Sequence, residues 1–236
     1  MIGDGWRPGR IAVVICDMWD TTQCISAARR ATELAPRIDE AASRLRQRGA
    51  LIIHAPAGCM DYYEGTPARR RAQEAPRVES PVPIDWNDWD PAREAPLPPA
   101  LADDTPCSCE PDEPACTVGG PPYPWTHQID SIEISRVDAV TDSGDELLAL
   151  LEAGGINDVV LMGVHTNRCV LGRPYGIRQL VYWGKRPVLC RDLTDSYHRD
   201  PRGHLRGNEE MVAHVERYWC PTVTSDQLMA EVPVEQ

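Results

Sequence analysis

Two runs of side chains, Ile11 to Cys16 (IAVVIC) and Asn157 to Val164 (NDVVLMGV), are apolar almost without interruption. A strand with one wet face alternates polar and apolar residues. An unbroken run therefore belongs to a strand covered on both faces, as in a parallel sheet. Shorter strands are expected over Leu51 to Ile53, Ile129 to Arg136, Pro187 to Arg191 and Thr222 to Ser225. Between them lie segments of helical composition: Ile25 to Arg48, Asp145 to Ala153, the stretch after Cys169 to about Tyr182, and Gly207 to Tyr218. In the first of these, Pro36 is expected to break or restart the helix and Gly49 to end it. Strands alternating with helices of this length predict a three-layer α/β/α sandwich around a mainly parallel sheet.

With 236 residues, 42% of them hydrophobic, the chain can bury a full core without a disulfide or metal, and residues 1–236 read as one domain. One segment interrupts the alternation. Residues 76–128 form an inserted arm rich in proline and cysteine, holding 13 of the 22 prolines. Such density forbids regular helix or a central strand. A loop this long in a compact domain is usually functional. Trp86, Trp89 and Trp125 are expected to anchor it on the domain or on a neighbouring subunit.

A net charge of −12 and an isoelectric point near 4.9 argue against a nucleic-acid or anionic-membrane surface. No apolar run approaches a membrane span, and Met1 to Arg10 lacks the pattern of a signal peptide, so a cytoplasmic location is expected. Of nine cysteines, Cys16 and Cys190 sit in apolar runs and read as core thiols. Cys107, Cys109 and Cys116 could pair, stay free, or hold zinc with His127, Cys59 or an acid as a further ligand. The paired Cys-x-x-Cys knuckles of a zinc ribbon are absent.

Candidate chemistry gathers where the strands end. In open parallel sheets the ligand site lies outside the carboxyl ends of the strands. Asp17, His54, Arg136, His165 with Cys169, and Asp192 all fall at such ends. Cys169 is the first candidate nucleophile. The run Gly163-Val164-His165-Thr166-Asn167-Arg168-Cys169-Val170 places it on the first turn of a helix, where free N–H groups and the dipole favour a thiolate or hold an oxyanion.

IAVVICDMWD, DAVTDSGDELLALLEAGGINDVVLMGVHTNRCV and PVLCRDLTDS together resemble the isochorismatase-like cysteine hydrolases, relatives of nicotinamidases and carbamoylsarcosine amidases. The resemblance runs from residue 11 to about 228, leaving out the arm. It implies a Rossmann-like α/β/α fold and an amidase-type reaction with Cys169 as nucleophile and Asp17 as base. The backbone N–H groups of His165 and Cys169 would form the oxyanion hole beside a cis peptide between Val164 and His165. Trp19, His54, His165 and Asn167 become candidate substrate contacts.

The family's lysine is missing from its usual place, near Ile134. The single lysine, Lys185, precedes a strand and should sit at the opposite rim. Strand parity offers Arg136 as the substitute cation, two residues beyond Ile134. No cofactor is expected, the alternative being a divalent metal near His54, Asp61 and His127, as in nicotinamidases. The expected partners are a small-molecule substrate and further copies of the chain. The reading is a hydrolase of an amide, ureide or carbamate C–N bond. Its alternative is a non-hydrolytic relative that binds a small ligand or serves in assembly.

Overall fold

The computed structural model describes residues 9–102, 116, 123–198 and 203–231. In chain order the elements are β1 (Ile11–Cys16), α1 (Ile25–Gln47), β2 (Leu51–Ala55), α2 (Pro67–Gln73), α3 (Pro99–Ala102), β3 (Ala139–Val140) and α4 (Gly144–Gly154). After these come β4 (Asp158–Val164), α5 (Ile177–Tyr182), β5 (Arg186–Asp195), α6 (His204–Tyr218), β6 (Thr222–Val223) and α7 (Ser225–Glu231). The six strands form one parallel sheet in the order β3-β2-β1-β4-β5-β6. Order reverses between β1 and β4. Both are buried along their whole length, as their unbroken apolar runs require.

One face of the sheet packs on Ala31, Ala35, Ile38, Ala42 and Leu45 of α1 and on Leu228 of α7. The other face packs on α2, α4, α5 and α6, through residues such as Ala72, Leu147, Leu180 and Met211. Three layers result. Among the described residues no helix is long and apolar enough to cross a membrane.

Three expectations are corrected. Pro36 does not break α1, which runs unbroken through it. Pro36 and Thr32, whose carbonyl loses its partner, both lie on the exposed face, where water satisfies the freed oxygen. The strand expected over Ile129 to Arg136 is a series of turns. Ile129 and Ile132 are buried but joined by a local bond, Ile132 N to Ile129 O at 3.0 Å, and the edge strand comes later, at Ala139. Of the three tryptophans expected to anchor the arm, Trp125 stacks on Trp19 at 4.0 Å and Trp86 packs over Gly172 while 41% exposed, whereas Trp89, 49% exposed, bonds only within the arm, to Glu94 O at 3.0 Å.

Glu94 supplies the arm's polar anchor. Its buried carboxylate accepts from Trp219 Nε1 and His214 Nε2, each at 2.7 Å, and pairs with Arg178. Asn87 adds a backbone bond to Gly172 O at 2.7 Å. The described part of the arm thus packs on α5, α6 and the turn that follows β4. Cys107 and Cys109 lie outside the described residues, while Cys116 is buried and its Sγ accepts from Ile25 N at 3.2 Å.

Candidate active site

β1 and β4 lie side by side where strand order reverses, so their carboxyl ends open a crevice at the centre of the sheet. Cys16 is paired with Gly163 there. Gly163 has φ 103°, and a Cβ on it would stand 2.1 Å from Cys16 O. Only glycine lets the two strand ends approach so closely. Asp17, the next residue of β1, turns out of the sheet with φ 48°, a left-handed conformation uncommon for any residue but glycine, which aspartate tolerates better than most.

After β4 the Val164–His165 peptide is cis, and Thr166–Val170 forms a single π-helical turn. The helix runs on only to Gly172. Pro174 brings no N–H, and the Gly172 and Gly176 positions leave no room for a side chain against Trp86 and Val170 O. α5 therefore begins only at Ile177. That break delivers Arg173 inward. Its Nε and Nη2 both stand 2.9 Å from Asp17 Oδ2.

Asp17 is wholly buried. Its Oδ1 accepts from Ala57 N at 2.8 Å, and its charge acts directly on the Cys169 thiol beside it. The peptide bearing Ala57 O is itself fixed, because Trp19 Nε1 and Trp125 Nε1 both donate to that oxygen at 2.9 Å. The two indoles stack at 4.0 Å.

Burial raises the Asp17 carboxyl above its ordinary value, against the lowering from Arg173, Cys169 and Ala57. Burial and then the Asp17 charge push the Cys169 thiol up to about 12. Burial opposes the charge on Arg173, yet Asp17 and Cys169 raise it above its usual value. The resting group is a guanidinium–carboxylate pair beside a neutral thiol. Asp17 is a stronger proton acceptor than an exposed carboxylate, and Arg173 a fixed positive charge that gives up no proton.

Sequence reasoning placed Asp17 and Cys169, and the structure brings them together. Arg136 is corrected: it is exposed, in a surface groove with Arg70, Arg71 and Leu150. The parity argument failed because residues 129–136 are not a strand. Arg173 was missed, although it lies four residues beyond Cys169, the spacing of neighbours on one helical face. Lys185 sits at the opposite rim, its Nζ donating to Ile156 O at 3.0 Å and to Glu152.

His54 is corrected as a substrate contact. It is fully buried, its ring nitrogens 3.1 Å from Gln128 Oε1 and Asp138 Oδ2. Those bonds also separate it from His127, which stacks on Tyr62 and meets Asp130. Among the described residues no three His, Cys, Asp or Glu side chains converge as metal ligands. Asn167 is also structural: its amide binds Leu101 O, Tyr197 O and Tyr197 N, each at 2.8 Å. The His165 ring turns to Tyr197, edge-on at 4.9 Å. Asp192 is held within β5 by Arg37 and Ser225, away from the crevice.

No protein-family model matches the chain. No curated protein matches it in sequence. Solved structures do match in fold. A cysteine hydrolase from Pseudomonas syringae pv. phaseolicola 1448A is 13% identical with a TM-score of 0.57, the match covering 98% of each chain. An isochorismatase-like hydrolase from Alkaliphilus metalliredigens is 15% identical over 96% of this chain and 97% of its own, with a TM-score of 0.55. An isochorismatase family protein from Burkholderia thailandensis is 15% identical over 94% and 95%, with a TM-score of 0.54. The chain has the isochorismatase-like α/β fold.

Proposed function

We propose that the chain is a hydrolase of a small-molecule C–N bond, in an amide, ureide or carbamate, acting through Cys169. The observation that carries this reading is the Arg173–Asp17 ion pair, its carboxylate fully buried and acting on the Cys169 thiol, at the reversal of strand order. In the proposed reaction the Cys169 sulfur attacks the carbonyl carbon and its proton passes to Asp17. The carbonyl oxygen becomes an oxyanion beside the backbone N–H groups of residues 165 and 169. Collapse breaks the C–N bond, the nitrogen leaving with the proton from Asp17 and a thioester remaining. Water then gives a proton to Asp17 and its oxygen to the carbon. The second collapse releases the acid and returns the proton to sulfur. Arg173 orients the carboxylate and offsets its charge, in the role a lysine plays in the family the sequence resembles.

The similarity of fold to structures described as hydrolases supports the reaction class. The competing reading, a non-hydrolytic protein that keeps a ligand pocket, draws on the thiol pushed up to about 12, which leaves little thiolate at rest. A panel of primary amides, ureides and carbamates, assayed for released ammonia or amine, separates the two. The hydrolase reading expects turnover of at least one class, an acyl adduct on Cys169 by mass spectrometry, and loss of both in Cys169→Ala. No turnover and no adduct across the panel would leave the non-hydrolytic reading standing.

A further inference from the structure

A groove of about 430 Å3 opens at the edge of the sheet, between α2, the turn that precedes β3, and α4. That volume falls within the range of small-molecule sites, about 300–1,000 Å3. Arg70 and Arg71 line it from α2 and Arg136 from the turn, and Glu74 is the one acid among its lining residues. Three guanidinium groups against one carboxylate leave two positive charges unmatched. Neither Asp17 nor Cys169 lines the groove.

The protein does not answer that charge itself. The side chains of Arg71 and Arg136 make no hydrogen bond, ion pair or ring contact with any described residue. Arg70 uses only Nη1, on Gly65 O. Glu74 follows Arg70 by four residues and Arg71 by three, the spacing of helical neighbours, yet pairs with neither. Elsewhere arginines find carboxylates: Arg30 meets Asp195, Arg46 Asp138 and Arg186 Asp158, at 3.0, 2.8 and 2.7 Å. All three arginines of the groove are exposed, so a ligand lying in it can reach their N–H groups.

Like charges gathered in one place repel one another, and an anion between them turns that repulsion into attraction. A guanidinium presents parallel N–H donors that match the oxygens of a phosphate or carboxylate. A phosphate monoester carries a charge of about −1.5 to −2 on one tetrahedral centre, which is the charge the groove leaves unmatched. Leu150 and Ala75 add apolar surface beside the arginines, suited to the carbon body of an ester. The net charge of −12 repels an extended polyanion, so the fit is to a small molecule. We infer that this groove is a binding site for a small phosphate monoester. The site is independent of hydrolysis at Cys169.

Calorimetric titration of the full chain at low ionic strength tests the inference, with AMP and phenyl phosphate as the monoesters and adenosine and citrate as controls. At least one monoester is expected to bind with Kd below about 1 mM. Arg71→Ala and Arg136→Ala, at exposed side chains without partners, should each weaken it about tenfold. Glu74→Gln should tighten it, because the one opposing charge is removed. Arg44→Ala on α1, across the sheet, should bind as the wild type does. So should Cys169→Ala, and a failed hydrolase reading therefore leaves this result intact. The inference is overturned if neither monoester saturates by about 10 mM, beyond the millimolar range of weak ligands. Adenosine binding as tightly as AMP, citrate binding more tightly than both monoesters, or affinity unchanged in both groove arginine variants would overturn it equally. Weakening of the same size in Arg44→Ala would also overturn it, by showing attraction to the surface at large.

Discussion

Asp17 acts on Cys169 in two opposed ways. Its charge helps to push the thiol up to about 12, and its carboxylate is the nearest group able to take the thiol proton. Asp17→Asn removes both effects, since an amide carries no charge and accepts a proton poorly. The variant is therefore expected to alkylate faster than the wild type with iodoacetamide at pH 8, through a lower thiol value. Hydrolysis, by contrast, should fall by about 100-fold or more, the scale of a lost general base. Alkylation no faster than wild type would mean that Asp17 does not control the thiol. Asp17 was legible in the sequence because it ends an apolar run, and Cys169 because it lies in the turn motif that follows one. Arg173 was not. The signal for it was its four-residue offset from Cys169, but the glycines and proline around it read as a broken helix and concealed where the chain turns.

At the scale of elements, the same distinction recurs between burial patterns and polar contacts. β1, β4, β5 and α4 were legible because hydrophobic periodicity reports burial directly. The edge of the sheet was not, since β3 is two residues long and Ile129 and Ile132 are buried from turns. The arm's polar anchor was equally hidden: the tryptophans pointed to apolar docking, which Trp125 makes on Trp19, but not to the single carboxylate that collects Arg178, His214 and Trp219. Hydrogen bonds between residues 84 to 125 positions apart leave no periodicity to read. Burial opposes the charge on Glu94, but His214, Trp219 and Arg178 bring its carboxyl down to about 2. Glu94→Ala should cost about 3–5 kcal/mol, because it strands a buried guanidinium. It should also open residues 76–98 to limited proteolysis before the sheet unfolds. Simultaneous loss of arm and sheet would show that the arm is part of the cooperative core.

The whole molecule carries groups shifted so that stability has a ceiling and a floor in pH. Burial pushes the Cys59, Cys169 and Cys220 thiols up to about 12 and Cys190 higher still. In the unfolded chain such thiols ionise near 8.5. Between about pH 9 and 12 the unfolded state thus holds fewer protons than the folded one, and stability falls as pH rises. On the acid side the sign reverses. Burial lowers His165 to about 4, so the unfolded chain binds the extra proton first and stability falls from about pH 6.5 downward. Glu94 adds a second loss as pH drops from about 4.5 through 2. Tm measured from pH 3 to 11 under reducing conditions should therefore peak between about pH 7 and 8.5. The net charge of −12 also destabilises at high pH through self-repulsion, but salt screens that contribution, the Debye length being about 3 Å at 1 M. Desolvation of buried thiols is not screened. The alkaline decline should persist in 1 M NaCl and grow shallower in Cys190→Ala. A decline abolished by salt would assign it to surface charge instead.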